Sequence, residues 1–139
     1  MTSRLTRQYR FSASHRLHSP ALSAEANSET YGKCNNPFGH GHDYVLQVCV
    51  AGPIDRETGL IADIRAVDRI VEENALRLFR DTNLNDLPAF SAVVPTTENL
   101  ALLADDLIRR AWPASLAPLA GVRILETRRN TFETSGIRS

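Results

Sequence analysis

The chain has 139 residues, with 16 lysine and arginine side chains against 16 aspartates and glutamates. That length predicts one domain with a core of its own, residues 1–139. The charge balance argues against nucleic acid or a membrane surface as a bulk partner, and the longest apolar run, residues 100–104, is too short to cross a bilayer.

Arg4, Arg7 and Arg10 are followed by no apolar stretch, so no secretory leader is expected. Two cysteines are too few for a disulfide framework, and a reducing cytoplasm is the expected compartment. Lys33 is the only lysine.

Residues 4–16 alternate as a strand, with Tyr9, Phe11, Ala13 and His15 on one face. Residues 17–41 show no sustained period and read as a long irregular loop, a length that favours function. Residues 42–51 alternate again, His42, Tyr44, Leu46, Val48 and Val50 against Asp43, Val45, Gln47, Cys49 and Ala51. Both faces are fairly apolar, so Cys49 reads as core. Asp63 is a candidate N-cap for a helix with Ile64, Val67, Val71, Ala75 and Leu78 on its apolar face, ending near Arg80. Residues 81–95 are irregular. A second helix opens at Pro95-Thr96-Thr97-Glu98, with Thr96 or Thr97 as N-cap, and closes at Trp112-Pro113. Residues 121–127 form a strand, and residues 130–135 its hairpin partner. The order β-β-α-α-β-β predicts an α+β fold, an antiparallel sheet with both helices on one face. The open edges of such a sheet favour a symmetric homo-oligomer.

The chemistry concentrates in Gly32-Lys33-Cys34-Asn35-Asn36-Pro37-Phe38-Gly39-His40-Gly41-His42. In an extended segment His40 and His42 project to one face, roughly 6.5–7 Å apart along the strand. With His15 they make a candidate three-histidine zinc site with an open fourth position. Cys34, beside Lys33, is a candidate thiolate, and its possible roles are general base, nucleophile or zinc ligand. His18 breaks the strand alternation and reads as solvated.

Phe11-Ser12-Ala13-Ser14-His15-Arg16-Leu17, the block from Gly32 to Tyr44, Pro95-Thr96-Thr97-Glu98-Asn99-Leu100 and Glu126-Thr127 together resemble the 6-pyruvoyltetrahydropterin synthase family, which includes the 6-carboxytetrahydropterin synthases. The Cys-x5-His-x-His spacing resembles the pyruvoyl branch more. The resemblance implies a tunnelling fold (T-fold) whose subunits form barrels, a homo-hexamer built as a dimer of trimers, and active sites between subunits. It implies zinc on His15, His40 and His42, proton transfer by Cys34, a pterin anchored by Glu126, and Thr96, Thr97 and Glu98 near the pterin pocket. Arg16 and Lys33 are candidate phosphate contacts.

One departure stands out. The family's Asp-His pair, within Asp-His-x-Asn-Leu, falls on Arg80-Asp81-Thr82-Asn83-Leu84. In direct register Asp81 takes the place of the histidine; one residue along, Asp81 takes the place of the aspartate and Thr82 that of the histidine. Neither register supplies an imidazole. Asp81 is therefore the candidate second proton carrier, although an ordinary aspartate is a poor donor near neutral pH. The departure leaves three outcomes open: the parent reaction, a diverged lyase or cyclase (6-carboxytetrahydropterin formation or secondary metabolism), and a non-catalytic pterin-binding protein.

Overall fold

A computed structural model of the chain describes residues 1–126 and 130–135. Strand β1 (Ser3–His15) pairs antiparallel with β2 (His40–Gly52), in a register that sets His15 opposite His40 and Ala13 opposite His42. Strand β4 (Leu119–Leu125) adds to β2, and β5 (Thr131–Glu133) adds to β4. A two-residue strand, β3 (Thr82–Asn83), lies parallel to Ala13 and Ser14, giving the order β3-β1-β2-β4-β5. Thr127 of the expected fourth strand lies outside the described residues.

One face of the sheet carries Phe11, Ala13, Tyr44, Leu46, Val48, Val122 and Ile124 into the core. Two helices cover it. Helix α2 begins at Ile64–Val71, with the Asp63 carboxylate capping the amides of Arg65 and Ala66. It passes through a π-helical segment, Glu72–Leu76, and ends in Arg77–Phe79. The π turn inserts extra rotation, so Leu76 and Phe79 are buried and Leu78, expected on the apolar face, is 40% exposed. Helix α3 (Thr97–Ala111) is capped by Thr96, whose hydroxyl accepts from the Asn99 amide, and it stops at Trp112. Among the described residues no helix is long and apolar enough to cross a membrane.

Two expectations are corrected. The segment 17–41 contains helix α1 (Ala24–Tyr31), capped by Ser23, and a 3-10 turn at Gly32–Asn35. Its anchor is polar: fully buried Asn27 accepts from the Ser19 amide and donates to the carbonyls of Ser19, Leu22 and Ser23. Cys49 belongs to the face away from the helices. It is half-buried there, in a hollow it shares with Arg4, Gln47, Arg123 and Glu133.

A buried ion pair within α3, Asp105 with Arg109, also takes a bond from Thr134 just after β5. Asp105, 5% exposed, receives Arg109 Nε and Nη2 at 2.9 and 3.0 Å and the Thr134 hydroxyl at 2.6 Å. Removing one partner of a buried pair strands the other charge. Asp105→Ala is therefore expected to lower the unfolding free energy by roughly 3 kcal/mol, read as a lower urea midpoint.

Candidate active site

The three histidines meet because the sheet register leaves them no alternative. His15 and His40 are direct cross-strand partners and His42 is two residues along, so all three side chains share the helix-covered face. The ring centroids are 4.2 Å apart for His40 and His42 and 4.7 Å for His15 and His42.

His15 is 1% exposed. Its Nδ1 lies 2.9 Å from the carbonyl oxygen of Pro95 and 3.4 Å from the Tyr44 hydroxyl. A carbonyl only accepts, so Nδ1 carries the proton and Nε2 presents its lone pair. That lone pair faces His42 Nε2 at 3.0 Å. Two such nitrogens repel unless a proton or a cation sits between them. Tetrahedral zinc, with bonds of roughly 2.0–2.1 Å to nitrogen, sets neighbouring nitrogens roughly 3.3 Å apart. The spacing fits that geometry. Ligand atoms from His15, Cys34, His40 and His42 all lie within 4.8 Å of one another, a group that could hold a metal ion. Burial lowers the proton affinity of His15 and of His42, which keeps them as neutral donors.

Cys34 sits in the 3-10 turn, its Sγ 2.8 Å from His40 Nε2. Burial, and secondarily the Glu126 carboxylate, push its thiol up. Lys33 is exposed, so the thiolate-promoting ammonium expected from the sequence does not shape this environment. The neighbour placed to take the thiol proton is the His40 imidazole, 2.8 Å away.

Glu126 follows β4 and closes the group. Its Oε1 is 3.2 Å from His42 Nε2, and its Oε2 accepts from the buried Thr97 hydroxyl at 2.8 Å. The structure turns Glu126 inward, its side chain 15% exposed. Thr96 is a helix cap, and Glu98 is exposed in the first turn of α3, where its charge favours the helix N-terminus.

Asp81 lies outside the His/Cys group. It is exposed, at φ 55°, a left-handed conformation that aspartate tolerates, and its amide donates to the Ser12 carbonyl at 2.7 Å. It lines an open groove of about 340 Å³ with Ser12, His42, Asp43, Thr82 and Asn83. Arg80 is drawn off by Glu72, with bonds of 2.7 and 2.8 Å. His18 is half-buried rather than solvated, 3.1 Å from Asn35 Nδ2. Arg16, a candidate phosphate contact, instead donates from Nε to the Asn35 carbonyl at 3.3 Å.

Sequence reasoning missed two supports. The Pro95 carbonyl orients His15, and no side-chain pattern could announce a backbone acceptor 80 residues away. Tyr44 packs 1% exposed beside His15, and its place two residues after His42 on an alternating strand was the available signal.

An α+β domain with one helix-covered sheet face, and a His/Cys group that could hold a metal ion where two strands meet the start of a helix, defines a T-fold protein. The sequence model described as 6-pyruvoyl tetrahydropterin synthase matches residues 4–136, and the chain belongs to that family. A 6-pyruvoyl tetrahydrobiopterin synthase of Poecilia reticulata is 47% identical over 127 residues, covering 91% of this chain and 85% of the relative. The Homo sapiens protein of the same name is 40% identical, covering 95% and 90%. The solved 6-pyruvoyl tetrahydropterin synthase of Caenorhabditis elegans superposes with a TM-score of 0.89 at 36% identity, covering 98% of this chain and 96% of that one.

Gly39 packs so closely that a Cβ there would sit 2.5 Å from the His15 carbonyl oxygen, and its φ is +65°. A Gly39→Ala variant must move the start of β2 away from the end of β1. It is expected to weaken zinc affinity roughly tenfold, measured by competition with a chromophoric chelator.

Proposed function

We propose that this member of the family, an enzyme of the carbon–oxygen lyase type, is a zinc-dependent 6-pyruvoyltetrahydropterin synthase. Its substrate on this reading is 7,8-dihydroneopterin triphosphate or a close relative, and triphosphate is the leaving group. The observation that carries the reading is the convergence of three imidazoles, one thiol and one carboxylate at the sheet end, with the Cys34 thiol 2.8 Å from His40 Nε2.

His15, His40 and His42 would hold zinc, which would supply a Lewis acid to polarise a side-chain oxygen of the substrate and acidify the neighbouring C–H. Cys34, as thiolate, takes that carbon-bound proton. Glu126 accepts two parallel N–H bonds from the amino-pyrimidine edge of the pterin, as a carboxylate does from a guanidinium. Thr97 holds Glu126 in place by its hydroxyl, and Thr96 and Glu98 flank the same helix start. Asp81, exposed at the sheet edge of its own protomer, serves the pocket of a neighbouring subunit as the second proton carrier. That arrangement calls for the homo-hexamer, a dimer of trimers, and light scattering is expected to read six times the 15.4 kDa chain mass.

One observation favours a second reading. Cys34 Sγ lies inside the ligand group, so a thiolate there completes a set of one sulfur and three imidazole nitrogens and closes the metal. A closed site suits a pterin-binding protein without turnover. Cys34→Ala separates the two. On the leading reading the variant keeps its zinc and loses activity by at least about a hundredfold; loss of zinc with the thiol supports the closed site. Product identification after incubation with 7,8-dihydroneopterin triphosphate fixes the reaction. Pyruvoyl product with free triphosphate is expected, and zinc removal by chelator is expected to stop it. A 6-carboxytetrahydropterin product, or a compound outside pterin synthesis, would assign the chain to a diverged lyase or cyclase.

A further inference from the structure

The segment that leaves β1, Arg16-Leu17-His18, carries contacts that the proposed chemistry does not use. It runs beside the turn Gly32–Asn35 that holds Cys34. The Leu17 amide donates to the Cys34 carbonyl at 2.7 Å. Asn35 Nδ2 has two hydrogens: one goes to the Leu17 carbonyl at 2.7 Å, the other to His18 Nδ1 at 3.1 Å. Arg16 Nη2 stands 3.5 Å from the same Nδ1. On the far side Asn85 grips the Arg16 backbone twice, accepting from its amide at 2.7 Å and donating to its carbonyl at 2.9 Å.

The direction of these bonds is forced. The Leu17 carbonyl can only accept, which fixes the nitrogen of the Asn35 amide on that side. A guanidinium and an amide nitrogen only donate, so His18 Nδ1 is the acceptor and the ring proton is on Nε2. The turn itself is bracketed by glycines at positive φ, Gly32 at +55° and Gly39 at +65°. A Cβ at Gly32 would meet nothing within 4 Å, so packing does not hold that side of the turn. Hydrogen bonds to the segment after β1, from the Leu17 amide and from the Asn35 and Arg16 side chains, hold it instead.

We propose that His18 is a positioning residue for Cys34: by accepting from Asn35 Nδ2 it locks the turn against the end of β1 and fixes the thiol beside His40. Its catalytic consequence rests on the role proposed for Cys34, whereas the positioning itself is read from thiol accessibility alone. The test uses the metal-free 139-residue chain with Cys49→Ser, leaving Cys34 as the only thiol. The rate of alkylation by iodoacetamide at pH 7.5 is compared for His18, His18→Phe and His18→Asn. Phenylalanine keeps the ring and removes the acceptor; asparagine removes the ring and keeps an acceptor at the δ position. Losing one such bond is expected to speed alkylation about fivefold in His18→Phe, with His18→Asn within about twofold of the parent. In the zinc-loaded chain, His18→Phe is expected to lower kcat with KM unchanged, and His18→Asn to restore it.

An unchanged rate in His18→Phe, or equal acceleration in both variants, would overturn the proposal. If His18→Phe fails to fold, His18→Ala against His18→Asn gives the same comparison. A parent chain that turns over no dihydroneopterin triphosphate, while His18→Phe still speeds alkylation, would sink the proposed function and leave the positioning role standing.

Discussion

The register between β1 and β2 is the constraint on which the site depends. Side chains alternate faces along a strand, so slipping β2 by one residue would send His40 and His42 to the side away from the helices. Two features pin the register near the site. Gly39 lets the chain turn into β2 against the His15 carbonyl, and the apolar residues Tyr44, Leu46, Val48 and Val50 must all face the core. The packing that makes the domain stable therefore also aims the imidazoles. The start of helix α3 then supplies their supports from one short stretch: the Pro95 carbonyl orients His15, Thr96 caps the helix, and Thr97 holds Glu126.

Much of this was legible in the sequence, for a physical reason. β1 and β2 alternate, and Asp63 and Thr96 satisfy helix amides as capping residues do, so local chemistry and final structure agree. The misses fall where that agreement lapses. Helix α1 presents no apolar stripe; its buried anchor is the amide of Asn27, which no hydrophobic period reveals. The π turn at Glu72–Leu76 breaks the spacing that nominated Leu78. Cys49 sits among apolar neighbours in sequence, yet the second face of the sheet carries Arg4, Gln47 and Arg123. Glu126 alternates with the core residues Val122 and Ile124, so its face follows from the strand period, whereas its bond to Thr97, 29 residues earlier, does not.

The candidate site divides along the same line. Its three histidines are built on the ends of two paired strands and inherit their rigidity. The thiol and the Asp81 carboxylate ride on connections instead, one in a turn between two glycines at positive φ, the other just past the end of α2. The departure at Arg80 and Asp81 falls in that second, less constrained category. Arg80 has been absorbed by Glu72, a surface ion pair of small energetic weight. A change at Arg80 and Asp81 thus leaves the frame of His15, His40 and His42 undisturbed.

The bond from His15 Nδ1 to the Pro95 carbonyl carries a further consequence, for how much an ion at this site would have to organise. In small zinc domains the metal is the fold's keystone, and ligands gather only as it binds. Here His15 is already oriented by a backbone carbonyl and buried beside a core of apolar side chains that owes nothing to a cation. The frame of the His/Cys group is therefore set by packing and one backbone acceptor, and an ion bound there would meet ligands that are already aimed.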